Sequence, residues 1–198
     1  MTEATDVASR LTISVETTVD DETAATYFAL YRETFGALAT LAAARQLLHE
    51  HEFLEDMRDP RVHKYVARDA DGHVVGMSTL STHLETVPWI SSEFFAHHYP
   101  EHTARGAVYY LGFTLVDPRV RQSRVFAAMV DRIVERLVAD RAVCAWDICG
   151  HNDDVIGLGA NIDTIVRRTA DVAIDPIDRQ TYYAARFSGL PAEGMVHP

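Results

Sequence analysis

The spacing of apolar residues changes several times along the chain, and each change marks an element. Leu11 to Val15 alternates apolar side chains with Thr or Ser, the period of a half-buried strand. Asp20 or Asp21 can cap a helix from Glu22 to Phe35, whose Tyr27, Phe28, Tyr31 and Phe35 recur at helical spacing. A second helix is expected from near Thr40, burying Leu41, Ala44, Leu47, Leu48 and Leu54 and ending at Asp59-Pro60. His63 to Arg68 and His73 to Ser81 are rich in Val, Tyr and Thr and flank the turn Asp69-Ala70-Asp71-Gly72, which predicts a hairpin. Val87 to Arg105 keeps no single period and reads as an inserted loop with a short helix. Ala107 to Val116 is a strongly apolar strand suited to a central position, stopped by Asp117-Pro118. A helix from Arg121 to Val138 follows, with Val125, Phe126, Met129, Val130, Ile133, Val134 and Leu137 as a broad apolar stripe. Then come a strand from Arg141 to Cys149, a short helix over Asn152 to Leu158, a weak strand near Val172, and a last alternating strand, Thr181 to Phe187.

These elements fit one α/β domain of the α+β kind: a mixed, mostly antiparallel sheet flanked by helices over residues 11–188, with tails at 1–10 and 189–198. A chain of 198 residues is long enough for one ordinary core and short for two. The 18 basic and 29 acidic residues leave a formal charge of -11, a sign that repels nucleic acid and anionic lipid and argues against both as partners. With no apolar run near membrane-span length and a polar N-terminus, the expected location is the cytoplasm. Cys144 and Cys149 are too few for a disulfide framework and read as reduced thiols. Lys64 is the single lysine, so nearly all positive charge sits on arginine, the side chain suited to forked pairing with phosphate or carboxylate.

The segment between the long apolar strand and its helix reads Val116-Asp117-Pro118-Arg119-Val120-Arg121-Gln122-Ser123-Arg124-Val125-Phe126. Alone, it suits an ordinary strand-to-helix turn with a solvated arginine cluster. Together with the order of elements from about Leu11 to Phe187, it resembles the GCN5-related N-acetyltransferase superfamily. Val116, Pro118 and Arg121 fit that family's acyl-coenzyme A loop, whereas Arg124 and Phe126 stand where it carries small residues. The resemblance implies an acetyl-CoA or other acyl-CoA cofactor bound by Leu115, Val116, Arg121, Gln122, Ser123, Arg124, Val125, Phe126 and Asn152. Arg124 would either neutralise a phosphate or lie across its place. It further implies acyl transfer, in the first instance N-acetyl transfer, to a small-molecule acceptor, with an amide of the strand at Tyr109 to Thr114 meeting the oxyanion. The proton-donating tyrosine that the family often carries after its fifth strand is missing from Asn152 to Gly159. The alternative is therefore a ligand-binding or regulatory relative that has lost acetyl-CoA binding. A homodimer is a further expectation.

Catalytic candidates are His83 and Glu85 at the end of the hairpin, Tyr110 with its neighbour Tyr109, Asp147 on the following strand, and Cys149 and His151 beyond it. His83 and Glu85 also suit a solvated strand end, and the tyrosine pair suits core packing. His97, His98 and His102 match no specified metal spacing, and no metal is expected. The aromatic insertion from Pro88 to His102 is expected to shape an acceptor pocket.

Overall fold

The computed structural model describes residues 11–120 and 125–189; the expected tails 1–10 and, beyond Gly189, 190–198 lie outside them. Five strands form one sheet in the order β1 (Thr12–Glu16), β2 (Val62–Arg68), β3 (Val74–Ser81), β4 (Val108–Val116) and β5 (Val143–Ala145). The first four are antiparallel, and β5 runs parallel to β4. No helix among the described residues is long and apolar enough to cross a membrane.

Helix α1 (Asp21–Phe35) starts where the Asp20 carboxylate accepts from the Thr23 N–H. Its buried face, Tyr27, Phe28 and Tyr31, packs on α3 (Glu50–Arg58) through Phe53 and Met57, and on the sheet through Val66, Met77, Leu115 and Phe113. Helix α6 (Val125–Ala139) covers the opposite face, where Ile133 meets Tyr65, Leu80 and Tyr109, and Met129 meets Ala67 and Val75. Gly76 permits this approach. A Cβ there would lie 2.8 Å from Val125 Cγ1 and 2.9 Å from Met129 Cε.

The helix expected from Thr40 to Asp59 is two pieces, α2 (Leu38–Leu41) and α3, with irregular chain over 42–49. Helix-forming alanines yield here to tertiary bonds: the Tyr31 hydroxyl donates to Gln46 O and accepts from Leu48 N–H. Glu52 then folds back onto the His49 N–H as a capping box, starting α3 afresh. Leu41 is consequently exposed. The insertion holds two short helices, α4 (Ser92–His98) and α5 (Pro100–Ala104), divided at Pro100, whose ring cannot continue α4.

The fifth strand is three residues long, not nine. Residues 151–155 form a turn of π-helix, followed by an unexpected twelve-residue helix, α7 (Leu158–Thr169). Gly157, at φ 70°, supplies the left-handed residue between them. The strands expected near Val172 and at Thr181–Phe187 are absent from the sheet: residues 171–188 have no regular structure, and Tyr183 and Phe187 are each 93% exposed.

Candidate active site

Pairing between β4 and β5 ends at Tyr110 with Ala145, while β4 runs on to Val116. Beyond that point the two chains share no ladder, leaving the β5-facing edge of β4 as the wall of a splay.

A bulge decides what this edge presents. The β3–β4 register slips between Ser78 and Leu80, so that β4 carries an extra residue around Gly112. Val108 and Tyr110 face the same side of the sheet as α4, while Tyr109 and Leu111 face α6. Past the bulge the parity reverses, and Phe113 and Leu115 turn to the α1 side. Backbone facing reverses as well. Before the bulge the odd-numbered residues face β5, where Ala107 O accepts from the Val143 N–H at 2.9 Å, whereas past it the Phe113 N–H donates to Thr79 Oγ1 at 3.2 Å and the Asp117 N–H to Val75 O, both on β3. Alternation therefore aims the amides of Thr114 and Val116 into the splay. Gly112 is needed for this geometry, because a Cβ would stand 2.6 Å from Thr79 Oγ1.

At the closed end of the splay, the Tyr110 hydroxyl donates to Asp147 Oδ1 and accepts from Trp89 Nε1 at 3.2 Å. Burial pushes the Tyr110 pKa up, and its bond to Asp147 pushes it further, so the phenol stays protonated near neutral pH. Asp147 is exposed, so its carboxylate is reachable from solvent while held by a buried phenol. Trp89 comes from the insertion, with its ring edge-on to Tyr110 at 6.1 Å, and is 53% exposed. Sequence reasoning named Tyr110 and Asp147 separately and missed Trp89; the available signal was an aromatic residue just after Pro88, in an insertion that precedes the long strand.

The remaining candidates are dispersed. His83 and Glu85 are exposed beside the 3-10 turn Leu84–Thr86, at the β3 end that pairs with the start of β4. His83 Nδ1 lies 3.1 Å from Thr82 Oγ1. Cys149 and His151 are half-buried at the turn after β5, along with Asn152. Burial pushes the Cys144 thiol up to about 12, which keeps it protonated and a poor nucleophile. Tyr109 donates to Asp140 Oδ2 at 2.8 Å and serves the α6 side.

The loop residues Arg121, Gln122, Ser123 and Arg124 lie outside the described residues. The turn leading into them is anchored by Asp117, whose buried carboxylate accepts from the Arg119 N–H and guanidinium. Leu115 and Val125 bury their side chains, Leu115 against α1 and Val125 against Gly76. Val116 and Phe126 are half-buried. The donor set suits an extended acyl-CoA arm, since Thr114 and Val116 present successive outward amides along an open strand edge.

Among the described residues, the side chains close enough to share a metal ion are Asp69, Asp71 and His73, in the β2–β3 turn. Asp69 Oδ1 already accepts from the Asp71 and His73 amides. His97, His98 and His102 are not drawn together in this way; His98 Nδ1 instead lies 2.9 Å from Phe94 O. A separate cleft of about 600 Å³ opens between α1 and residues 39–50, and none of its lining residues belongs to β4 or β5.

No protein-family model matches the sequence, and no curated protein matches it. Solved structures do resemble it in fold. An aminoglycoside acetyltransferase from an uncultured soil metagenomic sample, crystallised with sisomicin, superposes with a TM-score of 0.52 at 11% identity, covering 89% of this chain and 98% of that one. The aminoglycoside 6'-N-acetyltransferase AAC(6')-Ih of Acinetobacter baumannii gives 0.52 at 12%, covering 89% and 99%. The aminoglycoside N-acetyltransferase AAC(6')-Iy in complex with CoA gives 0.50 at 15%, covering 89% and 95%. The chain has the fold of the GCN5-related N-acetyltransferases.

Proposed function

We propose that the protein is an acyl-CoA-dependent N-acyltransferase for a small-molecule amine, working at the splay between β4 and β5. The observation that carries this reading is the pairing of an open β4 edge with a Tyr110–Asp147 contact at its closed end. The fold shared with acetyltransferases supports it.

An acyl-CoA would supply an activated thioester carbonyl. The amides of Thr114 and Val116 bind and orient a chain laid along the edge, and either can donate to a carbonyl oxygen placed there. Water is restricted on the Tyr110 side by Val87, Phe95 and Val108, which pack around it. An amine is a nucleophile only without its extra proton, so the acceptor must lose one. Asp147 is the exposed carboxylate that attracts the ammonium form and takes that proton, while Tyr110 holds the carboxylate in place. Trp89 adds an aromatic face beside the entering cation. The second proton leaves the nitrogen after attack and goes to the departing thiolate, and His151, in the turn after β5, is the imidazole assigned to relay it. The Cys144 thiol, held protonated, takes no part as nucleophile. The turn from Arg121 to Phe126 is assigned to receive the pyrophosphate.

The test is calorimetric titration of the folded protein with acetyl-CoA and CoA, with ADP as the control for general phosphate affinity. Saturable acetyl-CoA binding that exceeds ADP binding agrees with the proposal. No binding at millimolar ligand contradicts it and leaves a repurposed ligand-binding or regulatory relative.

A further inference from the structure

Strand β3 is buried along its whole length except at Val74, yet hydroxyls fill positions 78, 79 and 81 of this otherwise apolar run. Ser78 is 0% exposed and Thr79 3%. A buried hydroxyl destabilises a fold unless it is bonded. Both reach across to one residue of β4: Ser78 Oγ donates to Phe113 O at 3.0 Å, and Thr79 Oγ1 accepts from the Phe113 N–H at 3.2 Å. Phe113 lies where the ladder is irregular. Ser78 pairs with Thr114 and Leu80 with Leu111, so Thr79 alone faces both Gly112 and Phe113. Side chains of β3 thus hold the bulged residue at its N–H and at its C=O.

Counting protons orders a third hydroxyl. Ser78 Oγ also lies 2.7 Å from Thr114 Oγ1. Ser78 has one hydroxyl proton and the Phe113 carbonyl has none to give, so Ser78 donates to the carbonyl and Thr114 donates to Ser78 Oγ. The Phe113 C=O and the Thr114 N–H belong to one planar peptide and point in opposite directions. Fixing the carbonyl on β3 therefore fixes the N–H that faces the splay. Of the two outward amides, Thr114 stands nearer along β4 to Tyr110, whose hydroxyl holds Asp147. A carbonyl attacked by an amine at Asp147 belongs beside Thr114, with Val116 further along the arm.

We infer that Ser78 and Thr79 are positioning residues: through the backbone of Phe113 they aim the Thr114 N–H at the oxygen of the acyl carbonyl. The inference rests on the reading of the β4 edge as the acyl-CoA site. As the amine nitrogen bonds to the carbonyl carbon, the π pair moves onto oxygen; it returns as the C–S bond breaks and the thiolate leaves. A fixed N–H stabilises most while that charge is on oxygen, so the pair acts on turnover more than on binding.

Steady-state kinetics with acetyl-CoA and a primary amine, on the native chain and on Ser78→Ala, Thr79→Val and Thr79→Ser, test this at a temperature where thermal unfolding shows every variant folded. Ser78→Ala and Thr79→Val should each lose about tenfold in kcat while KM for acetyl-CoA stays within about twofold. Thr79→Ser keeps the hydroxyl and should return to within about threefold of the native kcat. Undiminished kcat in Ser78→Ala overturns the inference, as does a rise in KM without loss of kcat, or a Thr79→Ser variant as slow as Thr79→Val. A native protein that fails to bind acetyl-CoA in calorimetry, or to release CoA from it, overturns the reading of the site and this inference with it. A native protein that does both, beside fully active variants, overturns the inference alone.

Discussion

The Tyr110 hydroxyl, at the end of the β4–β5 ladder, donates to the Asp147 carboxylate just past it. The bond joins a buried phenol to an exposed acid, so the acid is oriented from within and approached from outside. Asp147→Asn keeps the shape and removes the proton acceptor. In steady-state assays we expect kcat/KM to fall about 10²–10⁴-fold, the usual worth of a general base. Tyr110→Phe should cost less, about tenfold, in line with one lost hydrogen bond to a charged group. Equal, small losses for both variants would assign Asp147 a structural role.

Gly112 makes the bulge possible, and the bulge aims the amides of Thr114 and Val116. Gly112→Ala brings a methyl group against Thr79 Oγ1, on a buried β-branched side chain with little room to move. Thermal or urea unfolding should show about 1–3 kcal/mol of destabilisation, with acetyl-CoA affinity reduced even where the variant remains folded. Unchanged affinity would detach the bulge from the binding edge.

A tight contact on the other face gives an independent lever on acetyl-CoA binding. Gly76→Ala presses on Val125 at the start of α6 and on Met129 one turn later. Shifting Val125 and with it the start of α6 should weaken acetyl-CoA binding several-fold while leaving Tyr110 and Asp147 untouched, a change that calorimetry would detect.

The buried side chain of Lys64 donates to Thr17 O and Asp59 O. Burial lowers its pKa to about 8 and raises that of nearby Asp56 to about 6. A carboxyl whose pKa is raised by folding binds its proton more tightly in the native chain than in the unfolded one. Its contribution to stability is therefore full below the ordinary Asp range and is lost as pH rises through about 6. Lys64 stays charged across this window. Relative to Asp56→Asn, the native protein should lose up to about 3 kcal/mol between pH 4 and pH 7. Urea denaturation at both pH values checks this; a parallel pH dependence in the two proteins would contradict it.

Where local pattern coincided with final packing, sequence was a good guide. The Asp20 cap, the Tyr27-Phe28-Tyr31 stripe, the Asp69–Gly72 hairpin and the long strand through Tyr110 all follow from spacing and turn chemistry. The failures lie where distant partners decide. The break at 42–49 depends on Tyr31, and the reversal at Gly112 depends on Thr79 across the ladder, so neither can be read from its own segment. Helix α7 was hidden because Gly159 and Asn161 interrupt its start and, of its residues, Ile162 alone is buried. At the site, Tyr110 and Asp147 were visible as residue types, but their contact, and the arrival of Trp89, required the fold. Thr181–Phe187 carries a strand pattern that this chain's own sheet does not use.

The most direct measurement is CoA thiol release from acetyl-CoA with a panel of small primary amines, comparing the native protein with Asp147→Asn. The account predicts amine-dependent release by the native protein and its near-complete loss in the variant, with acetyl-CoA binding retained. Release that ignores both the amine and Asp147, or no release with any amine while acetyl-CoA is bound, would contradict it.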